Sequence, residues 1–143
     1  MSLGLFNLGG ATITAAVTDS VLTSSNYNGA AAAYIAGLGG INSLTAWADF
    51  VYGSGGTTAA LKIQTSLDQG SNWIDILRFD FTTANAKKIA SVGVFAASAP
   101  AAVAALGSEG KLDNILGDRF RALLTTTGTY AGSTTIACRL AAR

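Results

Sequence analysis

Apolar and polar side chains alternate along much of this chain with a period of two, the pattern of β-strands that bury one face. The clearest stretch precedes a turn: Leu61, Ile63, Thr65 and Leu67 interleave with Lys62, Gln64, Ser66 and Asp68. Beyond the turn at 68–72, the aromatic and branched run 73–81 predicts the returning strand of a hairpin. The same reading predicts strands at 11–17, 31–36, 44–52, 58–67, 73–81, 89–95, 120–126 and 134–142, separated by glycine-rich punctuation and by no long helical pattern. In the third, Leu44, Ala46, Ala48, Phe50 and Tyr52 share one face, while Trp47 shares the other with Asp49 and Val51. In the seventh, Phe120, Ala122 and Leu124 are expected inside, with Arg119 and Arg121 on the opposite face. About eight strands in 143 residues predict an all-β, single-domain β-sandwich or jelly roll.

Charge alters the picture at the N-terminal end. Asp19 and Asp49 are the only charged side chains in the first 61 residues, and only 12% of the whole chain is charged, about half the usual share. Either much of 1–60 lies against a partner chain or another copy, or it forms a Gly/Ala-rich set of core strands. The first alternative is carried forward: residues 1–20 are expected as an extended arm, with Leu3, Leu5, Phe6, Leu8, Ile13 and Val17 as interface residues. The net charge of +1, with no basic run longer than Lys87-Lys88, argues against a nucleic-acid partner.

Two further features bound the class. Residues 89–106 carry no charge over 18 positions, the minimum for a membrane helix, but the segment is mostly Ala, Ser and Gly and holds Pro100. A strand followed by an Ala-rich turn or short helix at 101–106 fits better, so no membrane partner is expected. Residues 1–10 lack the positive start of a secretory signal, and the mature chain is expected to be the translated one. Cys138 stands alone, which excludes an internal disulfide, and its alternation with Ile136 and Leu140 makes it a core thiol.

Catalysis has little to work with. The chain contains no histidine, which removes Ser-His and Cys-His pairs and the usual zinc sets. Asp75 and Asp80 fall on opposite strand faces and do not converge as a glycosidase pair. Glu109, Asp113 and Asp118 have Lys111, Arg119 and Arg121 as neighbours and read as surface ion pairs. Gly53-Ser54-Gly55-Gly56-Thr57-Thr58 lacks the lysine of a phosphate loop and reads as a hairpin turn. No enzyme activity, catalytic residue, cofactor or metal is expected.

Ser66-Leu67-Asp68-Gln69-Gly70-Ser71-Asn72-Trp73 is similar to the Ser-x-Asp-x-Gly-x-x-Trp box of sialidase-like propellers, where it stabilises a hairpin away from the catalytic site. The chemistry agrees. The Asp68 carboxylate can accept backbone N–H groups across the turn, Gly70 can take positive φ, and Trp73 can pack over it. Ser66, Asp68, Gly70 and Trp73 are therefore expected to be structural. A propeller repeats the box in each blade, and this chain has one copy.

A wider resemblance covers residues 38–143. Tyr52-Gly53-Ser54-Gly55-Gly56-Thr57-Thr58, the hairpin from Gln64 to Ile76, Phe81-Thr82-Thr83, Ile115-Leu116-Gly117-Asp118-Arg119-Phe120-Arg121 and Leu123–Tyr130 resemble small virion proteins of tailed bacteriophages. Chain size and style look most like a capsid cement protein of the short-tailed Bordetella phage type. That resemblance implies a jelly-roll subunit, made in the host bacterial cytoplasm, that dimerises and clamps neighbouring major capsid proteins on the outer surface of the virion. It supplies no catalytic residues. A tail or head-fibre component is the nearest alternative. A carbohydrate-binding module using Trp47, Trp73 or Tyr130 as stacking platforms is a second.

Overall fold

The computed structural model describes residues 4–22, 24–25 and 31–143. Among them are thirteen strands and no helix: β1 (Gly4–Thr12), β2 (Ser20–Val21), β3 (Ser24–Ser25), β4 (Ala31–Ala32), β5 (Ser43–Val51), β6 (Ser54–Gly55), β7 (Thr58–Ser66), β8 (Ile74–Phe81), β9 (Ala86–Gly93), β10 (Gly110–Lys111), β11 (Arg119–Thr127), β12 (Tyr130–Ala131) and β13 (Thr135–Ala142). A six-stranded sheet runs β4-β3-β1-β13-β5-β9 and a five-stranded sheet β10-β8-β7-β11-β2. The two antiparallel sheets make a β-sandwich. A short third ribbon pairs β12 with β6.

Four of the pairings are nested one inside the next. β1 pairs with β13, β2 with β11, β5 with β9 and β7 with β8, so the first half of the chain meets the second in reverse order about the β7–β8 hairpin. Alternation explains each strand's inner face. Leu44, Ala46, Ala48 and Phe50 of β5 are buried, as are Leu61 and Ile63 of β7, Phe120, Ala122 and Leu124 of β11, and Ile136, Cys138 and Leu140 of β13. Phe50 stacks on Phe81 at 5.0 Å between ring centres and meets the edge of Tyr130.

The N-terminal arm expected over residues 1–20 is corrected. Gly4–Thr12 is β1, hydrogen-bonded between β3 and β13 within the same chain. Phe6, Leu8 and Ile13 lie in the hydrophobic core: alternation turns Phe6 and Leu8 inward, and the bulge between Asn7 and Gly9 shifts the phase so that Ile13, just past the end of β1, follows them. Val17 is half-buried against that core, with its N–H on Thr126 Oγ1 at 3.0 Å and its carbonyl on the Thr126 N–H. Leu5 alone of the described set points out, 81% exposed, and Leu3 lies outside the described residues. Core strands thus account for part of the sparse charge in the first 61 residues, while Leu5, Trp47 and Val51 of the same segment stay exposed.

The turn or short helix expected at 101–106 is also corrected. The chain between β9 and β10 is an irregular strap, exposed throughout 97–105. It is pinned at its feet by side chains. Asn114 Oδ1 accepts the N–H groups of Phe95 and Ala96, and Asp75 Oδ2 accepts that of Leu106 at 3.0 Å. So short a helix would not hold alone, and these anchors draw the strap from one sheet to the other. Among the described residues no helix is long and apolar enough to cross a membrane.

Candidate interaction face

The two outer faces of the sandwich differ in chemistry, and register explains why. On the five-stranded sheet, a bulge leaves Ile76 without a partner and brings Asp75 opposite Gln64. Gln64 Nε2 donates to Asp75 Oδ1 at 2.6 Å, Arg121 Nε donates to Gln64 Oε1 at 2.8 Å, and Lys62 Nζ lies 3.5 Å from Asp75 Oδ2. Arg78 donates to Asp80 at 2.7 Å and to the Leu106 carbonyl at 2.8 Å. Apart from Arg119 Nε, which is buried without a hydrogen-bond partner, this face is a paired polar network.

The outer face of the six-stranded sheet is different. Cross-strand register sets Asn7, Arg139, Trp47 and Ile89 in one row across β1, β13, β5 and β9. The next row is Leu5, Ala141, Thr45 and Ser91, in which the Thr45 and Ser91 hydroxyls share a hydrogen bond of 3.0 Å. On the other side of Trp47 come Ala137, Asp49 and Lys87. Trp47 is 44% exposed, Ile89 71% and Leu5 81%. A side chain at Gly93 would meet the Phe95 ring at 2.6 Å, so Phe95, also largely exposed, lies over the end of β9 on this same face. Leu5, Trp47, Ile89, Arg139 and Ala141 line a groove of about 560 Å³.

Electrostatics on this face is sparse. Lys87 Nζ sits 5.8 Å from the Trp47 ring centre, and Arg139 Nη1 donates to Asn7 Oδ1 at 2.7 Å. Among the described residues, Asp49 is the one carboxylate beside them. Such a surface can bind by apolar contact and by charge at its margin.

The hairpin residues are built differently. Ser66 Oγ donates to Asp68 Oδ1 at 2.9 Å and accepts the Gly70 N–H at 2.8 Å, while Asp68 accepts from the Asn72 backbone and side chain at 2.7 and 2.6 Å. Those two Asn72 bonds, the side-chain one first, hold the Asp68 carboxyl below the usual carboxylate range. Gly70 has φ +92°, and Gln69 before it is also left-handed at +62°. Trp73 is not in the core between the sheets. Its indole N–H donates to the Gly70 carbonyl at 3.1 Å, and its ring is covered by the Arg121 guanidinium at 4.2 Å with Tyr34 alongside. These residues close a turn, and the Trp73 ring is partly buried in doing so.

The sequence pattern points to interface residues over 3–17, of which Leu5 is exposed; it sets Trp47 beside Asp49 and Val51 on the face opposite Leu44–Phe50, and marks Ile89 and Phe95 only as strand residues. The period-two pattern held the signal for Trp47. What joined Trp47 to Leu5 and Ile89 was pairing between strands more than 40 positions apart. Comparison with protein-family models and with curated proteins finds no match for this chain.

Proposed function

We propose that this chain is a structural virion protein that binds the outside of an icosahedral phage capsid and cements neighbouring major capsid protein subunits. The observation that carries this reading is the outer face of the six-stranded sheet. Leu5, Trp47, Ile89 and Phe95 form one exposed apolar set on a hydrogen-bonded platform, opposite a face that carries ion pairs of its own. Contiguous apolar area of this kind marks an interaction surface. The nested strand order supports the jelly-roll form of the sandwich. The resemblance of residues 38–143 to virion proteins of tailed phages points the same way.

Mechanistically, a rigid sheet face loses little conformational entropy on docking, so even a modest contact is retained. Repetition over a closed shell then adds avidity, since a subunit touching two capsomers must release both to leave. Self-association as a homodimer would extend the span of each clamp. The clamp in this reading is a sheet face and not the arm expected from sequence.

Quantitative mass spectrometry of purified particles tests the reading. Near-stoichiometric copies relative to the major shell protein are expected; a handful per particle would instead mark a tail or head-fibre component. Half-exposed Trp47 beside Asp49 and Arg139 gives the carbohydrate-binding alternative its one supporting observation. Aliphatic Leu5 and Ile89 next to it offer sugar hydroxyls no hydrogen bond, and silence on a glycan array would remove that alternative.

A further inference from the structure

The chain has nine Lys and Arg side chains, and five of them, Lys62, Arg78, Lys88, Lys111 and Arg119, lie within ion-pair distance of a carboxylate. Lys87 and Arg139 do not, among the described residues. Both stand on the outer face of the six-stranded sheet and flank Trp47: Arg139 is its register partner on β13, and Lys87 packs over its ring from β9. Asp49 is in register with Lys87 and makes no ion pair with it. The face therefore combines an apolar centre with an excess of one positive charge, in a molecule that elsewhere matches most of its cations locally.

Covering this face with a purely apolar partner would bury two cations with no carboxylate against either, Arg139 keeping only the Asn7 and Cys138 oxygens, a costly arrangement. A partner with carboxylates around an apolar centre satisfies both and steers its own approach. We propose that this face docks a segment of the shell subunit with an apolar centre and carboxylates at its margins. This rests on the decoration reading above and adds to it the docking face and the chemistry of the partner.

The test titrates the full-length chain onto purified shells that lack it, at about 50 and about 300 mM salt. Wild type is expected to bind, more weakly at the higher salt. Trp47→Ser and Ile89→Asp are each expected to lower affinity about thirtyfold or more. The Lys87→Glu/Arg139→Glu double variant is expected to lose association rate and most of the salt dependence. Circular dichroism checks that each variant is folded, and Ile89, 71% exposed, serves if the Trp47 variant is not. Wild-type binding with every variant equal to it would overturn the face assignment and leave decoration standing. Apolar variants that weaken binding beside a charge reversal that does not would overturn the acidic partner. A wild-type chain that binds no shell would overturn the decoration reading and this inference with it.

Discussion

Gly56 illustrates what a single backbone position decides here. Its φ is +70°, and the Tyr130 ring occupies the space a side chain would need. Tyr130 is fully buried, donates its hydroxyl to the Thr82 carbonyl at 2.7 Å, and meets Phe50 and Tyr52 edge-on. Gly56→Ala combines left-handed strain with overpacking and is expected to cost about 3 kcal/mol, read as a lower urea midpoint at unchanged slope. Ser66→Ala removes one hydroxyl that serves three groups of the turn and is expected to cost about 1–2 kcal/mol, with faster hydrogen exchange at the Gly70 amide. Cys138 makes a pH prediction. Burial pushes its thiol up to about 12, so in the folded chain it stays protonated where an exposed thiol ionises. The unfolded chain then holds fewer protons than the folded one. Stability is expected to be independent of this group below the ordinary thiol range and to fall as pH rises from there toward about 12. Alkylation at pH 8 should proceed only at the rate of unfolding.

Among elements, β1 separates an arm from a structural strand. Deleting residues 1–12 would strip Phe6 and Leu8 from the core and bare an edge of β13. The expected product is unfolded or aggregated protein by circular dichroism and size-exclusion chromatography; a stable monomer would restore the arm. The seam between β8 and β9 is held by side chains. Glu109 accepts the Asp80 N–H at 2.9 Å and the Lys88 ammonium at 2.6 Å, and Lys88 also donates to the Asp80 carbonyl. The Asp80 N–H first and Lys88 second hold the Glu109 carboxyl below the usual range. A depressed folded pKa contributes stability above the ordinary carboxylate range and loses it as pH falls through the folded value. Glu109→Gln should therefore lower stability at neutral pH and flatten the loss between about pH 5 and about pH 3, within which carboxylates titrate.

For the whole molecule, nested pairing dictates when the fold can close. β1 and β13 are the first and last long strands and are also neighbours, so the six-stranded sheet is incomplete until the C-terminal residues are present. A chain ending at 134 is expected to remain unfolded. The full chain should refold in milliseconds to seconds, as other proteins dominated by non-local strand pairs do, followed by the fluorescence of Trp47 and Trp73. The same winding gives the sandwich its two unlike outer faces, one ion-paired and one apolar.

The sequence by itself determined most strand positions, their inner faces and the hairpin chemistry of Ser66 to Trp73. These are local properties, set by a period of two and by which residues accept a backbone N–H or adopt positive φ. It also carried the low charge that signals buried or covered surface, but not which residues are buried and which stay exposed. Tertiary structure alone decided that β1 lies inside the sheet, that Asp75 becomes the anchor of a strap, and that Leu5, Trp47, Ile89 and Phe95 share one exposed face. Each of these depends on register between segments far apart in the chain, and a one-residue change of register would turn every side chain of a strand to the other face.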